Sequence, residues 1–392
     1  MDGVYVYDAI RLPRARVRRA GGTLAQVPPH RLIAHLLSAL EKRHGVANSV
    51  EEVVLGIGTV TGEQAGDLAR VAVQAAGWPD AVPGAVVSRL CCSGIDALGR
   101  AAAAVSCGMS DLVVAGGVES MSRVPMLSDR PLFAADESLG DTTGFVTIGV
   151  SADLTAAVSG FTRDHLDRYA VEAHRRASEA PEQPGIVAYQ DSERFLERDE
   201  GARAGLGLDA LSALPALFTE DPGWARIARE LPDLPRPEAG LHTLATAPAL
   251  CDSASAALVG SEAAGAAHGL RRRARIVAVT HAAVRSPLLT ATVEASRRAL
   301  AAAGIAAADL DVVEVNESFA VTPLLLTREL ALDPGIVNTD GGALAFGHPL
   351  GATGGILLTT ALDRLERTGG THALITVPAA LGLGSALVLR RE

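Results

Sequence analysis

The chain repeats itself, and that repeat limits its folds more than any other feature. An apolar strand, Val4 to Ala9, leads to a helix, His30 to His44, and an acidic turn then feeds an apolar strand around Val53 and Val54. A small-residue loop follows at Cys91 to Gly94, then a helix of small residues, Asp111 and another apolar strand, Leu112 to Gly116. The second half presents the same order: a strand at 274–282, a helix at 293–304, an acidic turn and strand at 309–315, and loop, helix and strand from Gly347 to Val377. Val53 and Val54 correspond to Val312 and Val313, 259 positions on, and Cys91 corresponds to His348, 257 positions on. Order and spacing kept over several elements mark a duplication. The strands are continuous apolar runs, which predicts sheets buried on both faces and mostly parallel. Helices covering such sheets give an α/β layered fold built from two βαβ-type halves.

Between the halves the texture changes. Residues 120–246 are richer in proline and charge, with one clear helix, Arg163 to Ala180, opened by Thr162 at a capping position. Prolines between Leu231 and Pro237 mark loop. A stretch this long without strong periodicity suits a cover over a site better than a linker. The expected division is residues 1–119, an inserted loop domain at 120–246, and residues 247–392. The 392-residue length is enough for two or three cores.

Composition narrows the function. With 48% hydrophobic and 20% charged residues the chain is globular, and a net charge of −10 argues against nucleic acid as a partner. Four cysteines, two of them adjacent, do not make a secreted disulfide framework. The absence of a signal pattern and of any window of about 18 apolar residues leads us to expect a cytoplasmic protein. No zinc-ligand spacing and no Rossmann or Walker pattern occurs, so neither a metal nor a redox cofactor is expected. One basic run, Arg11 to Arg19, reads either as a solvated loop or as help in holding the phosphates of an anionic ligand such as coenzyme A.

Three segments carry chemistry. Cys91 sits at a strand-to-helix turn, where the N–H groups and dipole of the following helix favour a thiolate, and Gly94 permits close approach. Asn316 to Phe319 lies at the C-terminal end of a repeated strand, the end of α/β sheets where sites form. His348, between Gly347 and Pro349, is the repeat-equivalent of Cys91, so facing halves would bring the two together. A histidine there supports a thiolate and can donate to an oxyanion.

Together these segments resemble the thiolase family from end to end of the chain. Arg89 to Gly94 is similar to the family's nucleophile motif, which makes Cys91 the acylated residue. Gly116 to Ser122 resembles its GGxExMS segment. Asn316 to Ala320 resembles NEAFA, whose asparagine holds a water in an oxyanion hole; this gives Asn316 that role, with Ser318 and Phe319 beside the substrate. Gly341 to Gly354 is similar to GGAxAxGHPxGxSG, whose histidine activates the cysteine and polarises the thioester, the role implied for His348. Ile148 to Asp153 looks like the start of the loop domain covering coenzyme A.

The chain departs from the family pattern in two places. The family ends with CxG, whose cysteine moves the proton of the acyl-CoA that attacks or of the coenzyme A that leaves. Aligning the strands puts Thr376 at that cysteine and Pro378, which has no N–H, at the glycine that helps form a second oxyanion hole. A related subfamily's alternative cysteine is Ser318 here. Thr246 to Asp252 stands where the family shows NASGxND, so Ala247 and Pro248 border the pantetheine path, with Pro248 in place of a serine.

The resemblance implies an αβαβα thiolase-like fold with a loop domain, a coenzyme A thioester as substrate with no cofactor, and a homodimer or homotetramer. The expected function is an acyltransferase working through acyl-Cys91, with a changed second half-reaction because a threonine hydroxyl is a poor acid or base near neutral pH. The alternative is a non-catalytic paralogue that binds acyl-CoA or supports a partner subunit.

Overall fold

The computed structural model describes residues 3–285 and 287–392. Nine longer strands carry the fold: β1 (Val4–Arg11), β2 (Glu52–Gly56), β3 (Gly84–Val87), β4 (Leu112–Ser120), β5 (Cys251–Ser261), β6 (Ala274–Ala283), β7 (Val312–Val315), β8 (His372–Ala379) and β9 (Leu383–Arg391). The helices that matter for the site are α1 (Pro29–His44), α2 (Leu68–Ala75), α3 (Ser93–Ser106), α4 (Ile148–Val158), α5 (Arg163–Glu179), α6 (Ala291–Ala303), α7 (Val321–Glu329) and α8 (Thr353–Thr368). Local chemistry sets their ends. In α1 a proline occupies the first turn, three basic residues face the C-terminal dipole, and Gly45 closes the helix at φ +66°. The Thr162 side chain caps α5.

The duplication is visible in the strand order. One half runs β3-β2-β4-β5-β1 and the other β7-β8-β9-β6. The halves join where β1 meets β6 through only two residue pairs, Tyr5 with Arg275 and Val6 with Ala274. The expectation of mostly parallel sheets is not met. Only β2–β3, β2–β4 and β7–β8 pair parallel, while β4–β5, β5–β1, β8–β9 and β9–β6 are antiparallel. A strand covered by helices on both faces is an apolar run whichever way its neighbours point, so the pattern did not report direction.

Three cores give five layers. Leu32, Leu36 and Leu40 of α1 and Ala72 of α2 pack on Val53, Leu55 and Val114 of the first sheet. Ile95, Leu98 and Ala102 of α3 and Leu358, Ala361 and Leu362 of α8 fill the space between the sheets, against Val113 on one side and Ile375 and Val377 on the other. Ala295, Ala299 and Leu300 of α6 and Leu326 of α7 cover the far face on Val313, Leu374 and Val388. The order is αβαβα. In the middle layer α3 and α8 cross almost backbone to backbone. A Cβ at Gly94 would lie 2.7 Å from the Gly351 oxygen, and one at Gly354 would lie 2.4 Å from the Ile95 nitrogen.

Between β4 and β5 the chain forms helices, α4 and α5 among them, and a short hairpin pairing Tyr189–Gln190 with Phe195–Leu196. This segment accounts for much of the basic run, and both sequence-based readings of it need correction. Arg11 and Arg14 are buried, and both bind the Asp199 carboxylate, at 2.7 and 2.8 Å. Burial pushes that carboxyl up, but the two guanidinium groups outweigh it and hold it below the usual carboxylate range. The Glu200 carboxylate accepts from the Arg16 N–H and the Thr23 hydroxyl. The first basic residues of the run therefore clamp the insert to the core instead of facing solvent or a phosphate.

Candidate active site

Cys91 lies in the turn between β3 and α3, where Leu90 takes a left-handed conformation at φ +52°. The Ser93 hydroxyl stitches this turn, accepting from the Arg89 N–H at 2.8 Å and lying 3.1 Å from the Ile57 carbonyl oxygen. Cys91 is 6% exposed, and the backbone N–H groups of Cys91 and Ala380 favour its thiolate only weakly. Cys91 directly precedes the N-cap of α3, as the sequence leads one to expect, but burial opposes a thiolate there. α3 begins only at Ser93, and burial, with smaller contributions from Cys92 and the Glu119 charge, pushes the thiol well above its ordinary value. The neighbouring Cys92 is fully buried, with its Sγ donating to the Val377 carbonyl at 3.1 Å.

His348 sits at the matching turn of the other half, entered through Gly347 at φ +103°. Its Nδ1 is 2.8 Å from the Thr353 hydroxyl and its Nε2 is 3.4 Å from Nδ2 of Asn316. An amide nitrogen only donates, so this network assigns the proton to Nδ1 and leaves a lone pair on Nε2. Burial, then the Arg14 charge, lowers the imidazole to about 3, so it rests neutral. Asn316 is held by its backbone N–H to the Thr376 carbonyl, at 2.9 Å, and its other amide hydrogen goes to Ser318 Oγ at 2.7 Å. Two further contacts tie the insert's end to this group. The His348 N–H donates to the Ala249 carbonyl and the Ala320 N–H to the Thr246 carbonyl, both at 3.0 Å. Ala247 and Pro248, half-buried, bridge the two motifs. Phe319 is buried with ring contacts to His242, at 5.1 Å, and Phe218, at 5.7 Å.

Two family models match: the thiolase N-terminal domain over residues 4–227 and the thiolase C-terminal domain over residues 270–391. The chain belongs to the thiolase family. A beta-ketoadipyl-CoA thiolase of Pseudomonas knackmussii is 33% identical, covering 99% of both chains. A 3-oxoadipyl-CoA/3-oxo-5,6-dehydrosuberyl-CoA thiolase of Escherichia coli is 34% identical over 100% of both. A steroid 3-ketoacyl-CoA thiolase of Mycobacterium tuberculosis is 34% identical, covering 100% of this chain and 95% of its own. The crystal structure of Bacillus anthracis acetyl-CoA acetyltransferase superposes with a TM-score of 0.86 at 29% identity, over 100% of this chain and 99% of that one. The protein is thus an acyltransferase of the thiolase family.

Within this thiolase, one predicted site residue falls on the wrong face. Thr376 pairs with Ala386 across β8 and β9, and Ala386 and Leu374 belong to the outer core under α6. The Thr376 hydroxyl donates to the Ser385 carbonyl at 2.9 Å. Its neighbours Ile375, Val377 and Ala379 share the middle core with Cys91. Strand alternation therefore turns Thr376 away from the nucleophile. From this region it is the backbone N–H of Ala380, just beyond the end of β8, that weakly favours the Cys91 thiolate. Sequence reasoning also passed over a buried pair in the insert, Asp153 with His242 at 2.7 Å, whose ring meets Phe319. An aspartate far from a histidine in sequence gives no spacing to recognise.

Proposed function

We propose that this thiolase transfers acyl groups from coenzyme A thioesters through a covalent acyl-Cys91 intermediate. The observation that carries this is the packing of the Cys91 turn on the His348 turn, Gly94 against Gly351, with a neutral His348 whose Nε2 keeps its lone pair toward the Asn316 amide at 3.4 Å. Cys91 Sγ attacks the thioester carbonyl and its proton passes to His348. The tetrahedral oxyanion is stabilised by hydrogen-bond donors and collapses. Coenzyme A leaves, taking the proton back from His348. The step balances without a second acid or base.

The second half-reaction is where this chain differs. If Ala380 supplies the N–H of the family's CxG glycine, spacing replaces the cysteine two residues earlier by Pro378 and not Thr376; the two share a face of β8, and Pro378 lies next to the strand's end at Ala379. Proline offers neither an acid nor a base. Removing the α-proton of an attacking acetyl-CoA, or protonating the enolate released by thiolysis of a 3-oxoacyl-CoA, then lacks its usual group. The acyl acceptor we propose is a nucleophile that needs no strong base, or a malonyl-type donor whose loss of CO₂ creates the carbanion. The names of the relatives support 3-oxoacyl-CoA thioesters as the donors against which simple acyl-CoA thioesters are compared. The same reading takes residues 120–246 as the cover of the coenzyme A path, with Ser318, Phe319, Ala247 and Pro248 along it, and includes a homodimer or homotetramer in the cytoplasm. The half-buried edge strand β3, next to the nucleophile turn, supports that assembly.

Intact-mass measurement after incubation with acetyl-CoA and a longer acyl-CoA tests the proposal. Wild type should gain one acyl mass and Cys91→Ala none. No adduct on wild type with either thioester would overturn the acyl-enzyme reading for those donors and favour a binding role.

A further inference from the structure

Glu119 is a fully buried carboxylate near the end of β4, and no cation lies within ion-pair distance of it among the described residues. Burying an unpaired charge is costly unless hydrogen bonds replace the lost water. Here four N–H groups do so. Oε2 accepts from the Gly58 N–H at 2.7 Å and the Gly351 N–H at 2.9 Å. Oε1 accepts from the Thr59 N–H at 3.1 Å and the Gln64 side-chain amide at 2.7 Å. Gln64 is itself fixed, because its oxygen accepts from the Ser120 N–H at 2.7 Å and its amide also donates to the Thr59 carbonyl at 2.8 Å.

The two oxygens do different jobs. Oε1 gathers the turn that follows β2. Oε2 joins that turn to Gly351, three residues past His348. Gly351 is also the residue whose oxygen crowds Gly94 in the Cys91 turn and Gly117 on β4. We propose that Glu119 is a positioning residue that fixes the His348 turn against the Cys91 turn. The inference rests on Cys91 and His348 acting as read above. A glutamine could not substitute. Wherever its NH₂ pointed, it would meet two N–H donors and push either Gly351 or the Gln64 turn away. The carboxylate charge also acts directly on Cys91, disfavouring its thiolate.

The test compares Glu119→Gln with Gln64→Met, which removes one donor from Oε1 and leaves the Gly351 bond intact. Acylation by acetyl-CoA is followed by intact mass, and alkylation by iodoacetamide is followed against pH. For Glu119→Gln the saturating acylation rate should fall about 100-fold with half-saturation within about threefold, as losing an outer support does. Its alkylation midpoint should move to lower pH. Gln64→Met should melt earlier yet acylate within about threefold of wild type at saturation. A merely structural role for Glu119 would instead make both variants lose acylation in step with stability. That outcome, or a folded Glu119→Gln enzyme acylating at the wild-type rate, would overturn the proposal. If Glu119→Gln is insoluble, Gln64→Met decides by the same criterion. If wild type takes no acyl group, the acyl-enzyme reading fails separately, and an unmoved alkylation midpoint in Glu119→Gln would then overturn this one.

Discussion

The Cys91 turn and the His348 turn occupy the same place in the two halves, and each functional residue is 6% exposed. Their environments are alike in burial and unlike in hydrogen bonding. The cysteine's surroundings act on it mainly through burial, while the histidine turn spends its ring on Thr353 and Asn316. Equal burial acts oppositely on an acid and a base. It raises the thiol and lowers the imidazole, and both shifts favour the uncharged form. Both residues of the duplicated fold are therefore held toward their uncharged forms.

The sharpest way to break that comparison is to remove one member. Cys91→Ala should abolish the acyl adduct and lower turnover by about 10³-fold or more, as loss of a nucleophile does; substantial turnover in the variant would place the nucleophile elsewhere. The next test concerns the region beyond β8. Pro378→Cys should raise condensation or thiolysis by about 100-fold, a typical contribution of a general acid or base. Thr376→Cys should give no gain, because it lies four residues before Ala380 instead of two. A gain from Thr376→Cys alone would reverse the assignment. Thr353→Val removes the partner of His348 Nδ1 and should slow acylation about tenfold with little change in half-saturation, read from single-turnover mass kinetics.

The pH dependence sharpens the contrast at smaller amplitude. A raised thiol means that alkylation of the free enzyme by iodoacetamide should still be climbing at about pH 9.5, above the ordinary thiol value near 8.5; a plateau below pH 8 would contradict the neutral pair. Stability should carry both signs. Between about pH 6.5 and 3 the unfolded histidine binds a proton that buried His348 refuses, so stability falls as pH falls through that window. Above the ordinary thiol value the unfolded Cys91 loses a proton that the folded one keeps, so stability falls as pH rises. Denaturant midpoints of His348→Asn should flatten the acid side only, and those of Cys91→Ala the alkaline side only.

Much of this was legible in the chain. The repeat put Cys91 and His348 at matching positions of the two halves, and the crossing of α3 and α8 at Gly94 and Gly354 packs the turns that carry them against each other. Helix α5 ends within a residue of the sequence reading because Thr162 and a regular apolar face announce it. Strand direction was not legible, since burial on both faces erases it. Nor was the orientation of Thr376. Counting along β8 locates a residue in the chain, but only the pairing with β9 shows which face it takes. The use of Arg11 and Arg14 was hidden because their partner, Asp199, lies more than 180 residues away.

The crossing of α3 and α8 has a consequence for how such a chain can change. On the proposed reading neither half holds a complete set of reacting groups, because Cys91 comes from one copy and Asn316 and His348 from the other. The gauge of how the two copies meet is the absence of two methyl groups. Because the atoms facing Gly94 and Gly354 are backbone, an alanine at either place has no flexible neighbour to displace, and the halves themselves must separate. Drift elsewhere in the middle layer can be absorbed by repacking; here one carbon atom sets how closely α3 and α8 approach.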